Sequence, residues 1–107
     1  LQEYMLSKKP HLNPKLTLSE LSSGMDVTPN HLSQIINQYE KVNFHDFING
    51  YRVEEFIERA SANQAYSILS HAYDAGFNSK STFNNVFKKL KGVTPSRYMS
   101  DLLNNTQ

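Results

Sequence analysis

Asn30, Ser33, Gln34 and Asn37 in the first third of the chain, and Lys80, Ser81, Asn84 and Asn85 in the last third, lie in two segments striped with apolar residues. A side-chain amide donates and accepts side by side, as the major-groove edge of adenine requires, and lysine supplies charge for an anionic backbone. The segments read PNHLSQIINQYE (29–40) and KSTFNNVFKKLK (80–91). In the first, Leu32, Ile35, Ile36 and Tyr39 recur at helical spacing and are expected to face inward, leaving Asn30, His31, Ser33, Gln34 and Asn37 outside. In the second, Phe83, Val86, Phe87 and Leu90 form the inward stripe, leaving Lys80, Ser81, Asn84, Asn85, Lys88, Lys89 and Lys91 for the other faces. The plain alternative is a pair of amphipathic helices with solvated faces. Asparagine is a poor helix former, however, and a solvated face would favour alternating Glu and Lys. Amides and hydroxyls at matched positions on two helices therefore argue for contact surfaces.

Other chemistry finds little support. The histidines are His11, His31, His45 and His71, and no two are three or four residues apart, so no helical metal pair forms; no metal site and no cofactor are expected. There is no cysteine, no glycine-rich phosphate loop and no nucleophile motif, so we expect no enzyme. Glu54, Glu55 and Glu58 on one segment read as a solvated face, and Arg52 beside them as an ion-paired brace between two halves.

Both polar segments sit in the same local frame. Leu18, Leu21, Met25 and Val27 match Ile68, His71, Ala75 and Phe77 at a constant offset of 50. One further residue then enters the second turn, and Thr28, Leu32, Ile35, Ile36, Val42, Asn43, Phe47 and Ile48 match Ser79, Phe83, Val86, Phe87, Val93, Thr94, Tyr98 and Met99 at 51. A short helix, a tight turn and a longer helix with a polar outer face is the plan of a helix-turn-helix unit, here present twice.

Start and stop signals divide the chain into seven helices, an all-α fold without strand patterning. The first spans about Gln2–Lys9 and stops before Pro10, and a loop follows over His11–Lys15. Thr17 and Glu20 form a capping box for a helix ending near Gly24. Thr28-Pro29 opens the first polar helix, to about Glu40. Asn43 opens a long helix, about Phe44–Ser61, with Phe44, Phe47, Ile48, Tyr51, Phe56 and Ile57 as its apolar face. Ser67 opens a short helix ending at Gly76, Ser79 the second polar helix ending at Gly92, and Thr94-Pro95 a last helix to about Leu103. The expected organisation is one domain over 1–107: a first subdomain over about 1–42, a linking helix over about 43–61 and a second subdomain over about 62–107.

The 107 residues suffice for one modest core, and no apolar run approaches the ~20 residues that span a bilayer, so no membrane contact is expected of this segment. The chain opens on Leu1, which leads us to expect a longer parent. Net charge is only +1, but residues 1–61 carry −2 and residues 62–107 carry +3. Between Ala75 and Ser100 there is no acid, while Lys80, Lys88, Lys89, Lys91 and Arg97 all fall there, the pattern expected where phosphate is approached.

The stretch GFNSKSTFNNVFKKLKGVTPSRYM, Gly76 to Met99, resembles the signature segment of the AraC-type transcriptional regulators, and LTLSELSSGMDVTPNHLSQIINQ, Leu16 to Gln38, looks like the first helix-turn-helix of that family. The linking segment NFHDFINGYRVEEF also fits. The resemblance implies seven helices in two helix-turn-helix subdomains, the third and sixth helices entering adjacent major-groove segments of double-stranded DNA at an operator or promoter. Carried onto this chain, base reading falls on Asn30, Ser33, Gln34, Lys80, Ser81, Asn84 and Asn85. Backbone contacts fall on Thr28, His31, Asn37, Ser79, Lys88, Lys89, Lys91 and Thr94. It also implies a preceding sensory or dimerisation domain, a contact with RNA polymerase and a cytoplasmic location. The chain departs from the family pattern at Ser22, where alanine is common, at His71, where an aliphatic residue usually packs, at Met99, where arginine is common, and in lacking a strong cation on the first polar helix. We expect His71 to be a satisfied, partly buried imidazole. The rival expectation is a helical protein-interaction module without intrinsic DNA binding, its partner surface near Tyr66, Tyr73 or the acidic central helix.

Overall fold

A computed structural model describes residues 1–104. Seven α-helices and no strand occur among the described residues: α1 (Gln2–Lys8), α2 (Leu18–Gly24), α3 (Pro29–Ile35), α4 (Phe44–Ala62), α5 (Ile68–Asp74), α6 (Lys80–Lys91) and α7 (Pro95–Asn104). A 3₁₀ turn, Pro10–Leu12, follows α1, and a wide π turn, Ile36–Glu40, prolongs α3.

Six of the seven helix starts are capped by the side chain that the sequence supplies, and α1 begins after Leu1 without a side-chain cap. Thr17 accepts from the Glu20 amide at 3.1 Å, the first half of the expected capping box, while the Glu20 carboxylate accepts from the Thr17 hydroxyl at 3.0 Å rather than from its backbone amide. Thr28, Asn43, Ser67, Ser79 and Thr94 each accept from the backbone amide three residues on, at 2.8–3.2 Å. Each such cap satisfies one orphan donor and contributes about 1 kcal/mol.

The linking helix α4 serves two cores at once. Its Phe47 and Ile48 pack with Met5, Leu21, Leu32 and Ile36, and its Val53, Phe56 and Ala60 pack with Ala72, Phe77, Phe83, Phe87 and Met99. The second core is aromatic: the Phe56 ring lies 4.8 Å from that of Phe83 and 5.6 Å from that of Phe87. Burying one such side chain contributes about 1.5–3 kcal/mol, so α4 is held from both ends. The expected apolar face of α4 is thus split between two directions. Val53 and Ala60 belong to it, while Phe44, Tyr51 and Ile57 are only partly buried.

Three local expectations fail for identifiable reasons. Tyr39 is 73 % exposed instead of inward, because the π turn winds fewer degrees per residue and carries it off the α3 stripe. Leu90 is 46 % exposed, since α7 covers α6 on the Phe87 side, where the Phe87 and Tyr98 rings are 5.4 Å apart. Glu55 is not part of a solvated face. It is buried, 2.7 Å from Arg59 Nε, 3.3 Å from Lys9 Nζ and 3.5 Å from His11 Nε2.

The segment expected as a loop is therefore a clasp. His11 is buried, its ring 5.6 Å from that of Tyr51. Arg52 does brace this region, though without an ion pair among the described residues: its guanidinium donates to the carbonyls of His11 (2.8 Å) and Asn13 (2.9 Å). Those carbonyls lie outside any α-helix, in and just after the 3₁₀ turn, and arginine presents several donors in one plane to satisfy them.

Candidate nucleic-acid interface

The repeat seen in the sequence is a repeat in space. In the first unit Val27 N donates to Ser22 O at 3.0 Å, and in the second Phe77 N donates to Ala72 O at 3.1 Å. Both turns pass through a left-handed residue, Asp26 (φ 59°) and Gly76 (φ 107°). Asp tolerates that conformation where the turn is open, whereas at Gly76 a Cβ would collide with the His11 carbonyl. The extra residue of the second turn is Asn78, which is exposed.

The helices that follow these turns carry the polar groups outward. On α3 and its π turn, Asn30, His31, Gln34 and Asn37 are exposed and Ser33 is half-buried, with Leu32 and Ile36 inside. On α6, Lys80, Ser81, Asn84, Asn85, Lys88 and Lys89 are exposed, with Phe83 and Phe87 inside. Thr28 and Ser79 stand at the starts of these helices with their hydroxyls committed as caps, and Thr94 caps α7 in the same way. All seven base-reading candidates thus reach solvent in whole or part, and none makes a side-chain hydrogen bond or ion pair among the described residues.

The lysines divide into two groups. Lys80 and Lys88 form no ion pair among the described residues. Lys91 Nζ lies 2.8 Å from Glu54 Oε1 and 5.9 Å from the centroid of the Tyr98 ring, and Lys89 Nζ lies 3.8 Å from Asp46 Oδ1. The acid-free character of residues 75–100 is therefore partly cancelled by carboxylates that α4 brings alongside.

A cleft of about 270 Å³ lies between the start of α6, the first half of α4 and the segment before α2, lined in part by Lys15, His45, Asn49, Asn78 and Thr82. No carboxylate lines it. Thr82, Asn85 and Lys89 follow one another along α6 at helical spacing, so this cleft borders the stripe that carries Asn85. Sequence periodicity does not single out Lys15, His45, Asn78 and Thr82, because their neighbourhood joins three segments far apart in the chain.

The positions that depart from the family pattern are accommodated. Ser22 is buried and its hydroxyl donates to Ser19 O at 2.9 Å. His71 is buried, with Nε2 2.6 Å from Asn63 O, the satisfied imidazole expected. Met99 is buried in the second core and points away from solvent. His11, by contrast, is buried with Nδ1 lacking any protein partner among the described residues. Burial is the main reason its pKa lies below the ordinary value of 6.5, against the opposing pull of Glu55.

Known proteins share this arrangement. A family model described as a helix-turn-helix domain matches residues 21–101. An uncharacterised HTH-type transcriptional regulator of Staphylococcus aureus is 34 % identical over 94 residues, covering 85 % of this chain and 12 % of that protein. The regulatory protein PocR of Salmonella typhimurium is 28 % identical over 96 residues, covering 90 % of this chain and 31 % of its own length. The chain thus spans between about an eighth and a third of these relatives. Among solved structures, the C-terminal domain of AraT, a response regulator from Geobacillus stearothermophilus, superposes with a TM-score of 0.75 at 27 % identity, over 91 % of this chain and 78 % of that one. A DNA-binding transcriptional dual regulator from Escherichia coli K-12 shares the fold, with a TM-score of 0.76 at 21 % identity over 91 % and 85 %. The family match over most of the chain, the doubled helix-turn-helix units and these relatives agree: the chain belongs to the AraC-type helix-turn-helix family of transcription regulators.

Proposed function

We propose that this chain binds double-stranded DNA sequence-specifically and so regulates transcription, with α3 and α6 in adjacent major-groove segments on one face of the duplex. What carries the reading is the doubled unit: two capped helices, each following the same tight turn, each with amides or lysines outside and a closed core inside. The longest dimension of the molecule is 46 Å, enough to hold two reading helices about one duplex turn, ~34 Å, apart.

In this reading Asn30, Ser33, Gln34, Lys80, Ser81, Asn84 and Asn85 meet base edges, the amides matching adenine. Thr28, His31, Asn37, Ser79, Lys88 and Thr94 meet the backbone, with Lys89 and Lys91 joining them only by leaving their carboxylates. The acid-free cleft at Lys15 and His45 gives a backbone phosphate a further place to lie. The domain carries out no reaction of its own. The chain acts in the cytoplasm beneath or beside a sensory or dimerisation domain of a longer parent, and contact with RNA polymerase would transmit its effect.

The test is an anisotropy titration against random duplexes at two salt concentrations, followed by selection of a preferred site. Salt-dependent binding with a selected motif in two halves about ten base pairs apart is expected. A protein that leaves every duplex unbound at low ionic strength would instead be an interaction module.

A further inference from the structure

Two carboxylates of the linking helix sit on two lysines of the second reading helix. Glu54 holds Lys91 at 2.8 Å and Asp46 holds Lys89 at 3.8 Å, although these residues are 37 and 43 positions apart in the chain. Lys91 is the more confined, its side chain 26 % exposed and lying over the Tyr98 ring. The Lys89–Asp46 pair is open, with the lysine side chain 71 % exposed. Asp46 also shares a notch with Asn85 and Lys89, so its charge stands beside a residue assigned to base reading.

We propose that Asp46 and Glu54 are internal competitors for DNA phosphate, holding Lys89 and Lys91 in reserve and lowering affinity for every duplex without altering sequence preference. The inference rests on the DNA-binding reading above. Its physical basis is an exchange. A free lysine that meets a phosphate releases condensed counterions, steepening the salt dependence by about 0.9 per contact. A lysine that must first leave a carboxylate gains less, because it breaks one pair to make another and strands an anion near the phosphates. Exposed ion pairs are individually weak, so DNA can displace them, and the displacement still weakens binding. Sequence-independent attraction is thereby reduced while the amide contacts on α3 and α6 are untouched, which raises the share of affinity that depends on sequence.

The experiment compares wild type, Asp46→Asn/Glu54→Gln and the control Glu3→Gln/Glu58→Gln on one selected duplex and one random duplex across a range of salt. The control changes net charge equally, and Glu3 and Glu58 form no ion pair among the described residues. Binding by the wild type tests the DNA reading separately. The expected result is that Asp46→Asn/Glu54→Gln binds both duplexes about three- to tenfold more tightly, with a salt slope steeper by about one to two. The control should show less than half of either change. Equal effects in variant and control would reduce the matter to overall charge and overturn the proposal, as would unchanged or weaker binding. If the paired variant does not fold, Lys89→Gln and Lys88→Gln decide. The first must flatten the slope clearly less than the second, and equal flattening would refute the competition.

Discussion

Gly76, in the turn between the helices of the second unit, lies against the main-chain carbonyl of His11, a residue of the first subdomain sixty-five positions earlier. A methyl group on Gly76 would strike that oxygen and come within 2.9 Å of Arg52 Nε. The turn of one reading unit is thus seated on the clasp of the other, and this contact helps set how the two units face. Arg52 fixes the clasp to α4 through the same His11 carbonyl.

Gly76→Ala should destabilise the fold by about 2–4 kcal/mol, combining a left-handed backbone at φ 107° with a collision the core cannot relieve. Urea unfolding measures it. A loss below about 0.5 kcal/mol would mean the clasp yields freely and does not position the second unit.

The clasp should make the domain acid-sensitive. Burial holds His11 below 6.5, so as pH falls through the ordinary histidine range the unfolded chain takes up a proton that the folded one refuses, and stability declines. Burial pushes the Glu55 carboxyl up, but hydrogen bonds from Arg59 and Lys9 outweigh it and leave it below its ordinary value. Its contribution is therefore complete above about pH 4.5 and lost as pH falls through the folded value. Unfolding free energy measured from pH 7 down to 5 should fall, and His11→Gln should flatten that part of the profile.

Glu55→Ala should cost about 2 kcal/mol or more, since it strips a buried carboxylate from three cationic or histidine partners. Arg59 and Lys9 remain partly exposed and can rehydrate, which keeps the loss below that of a fully enclosed pair. Thermal unfolding at neutral pH reads it directly.

Asn85→Ala should cost about 1–3 kcal/mol at a selected site and blur preference at one base position. Equal losses on selected and random duplexes would place Asn85 outside direct readout.

Lys88→Ala should weaken binding to all duplexes alike and flatten the salt slope by about 0.9. It is the clearest phosphate candidate on α6 because α4 gives it no counter-charge, unlike its neighbour Lys89. An unchanged slope would remove it from the contact surface.

The sequence by itself determined the local pieces: seven helices, their caps at Thr17, Thr28, Asn43, Ser67, Ser79 and Thr94, and the doubling of the unit. These depend on interactions within about four residues, and a cap or an apolar stripe carries its own instructions. The faces of α3 and α6 were legible for the same reason, apart from Tyr39, where a π turn broke the period, and Leu90, which α7 leaves uncovered. Tertiary structure alone decided what meets across the chain. It turned His11 and Glu55 from loop and solvated face into a buried clasp, gave Arg52 carbonyls in place of an acid, and set Asp46 and Glu54 on two lysines that composition had counted as free. Charge and burial depend on neighbours in space, and no local pattern records which distant carboxylate a lysine will find.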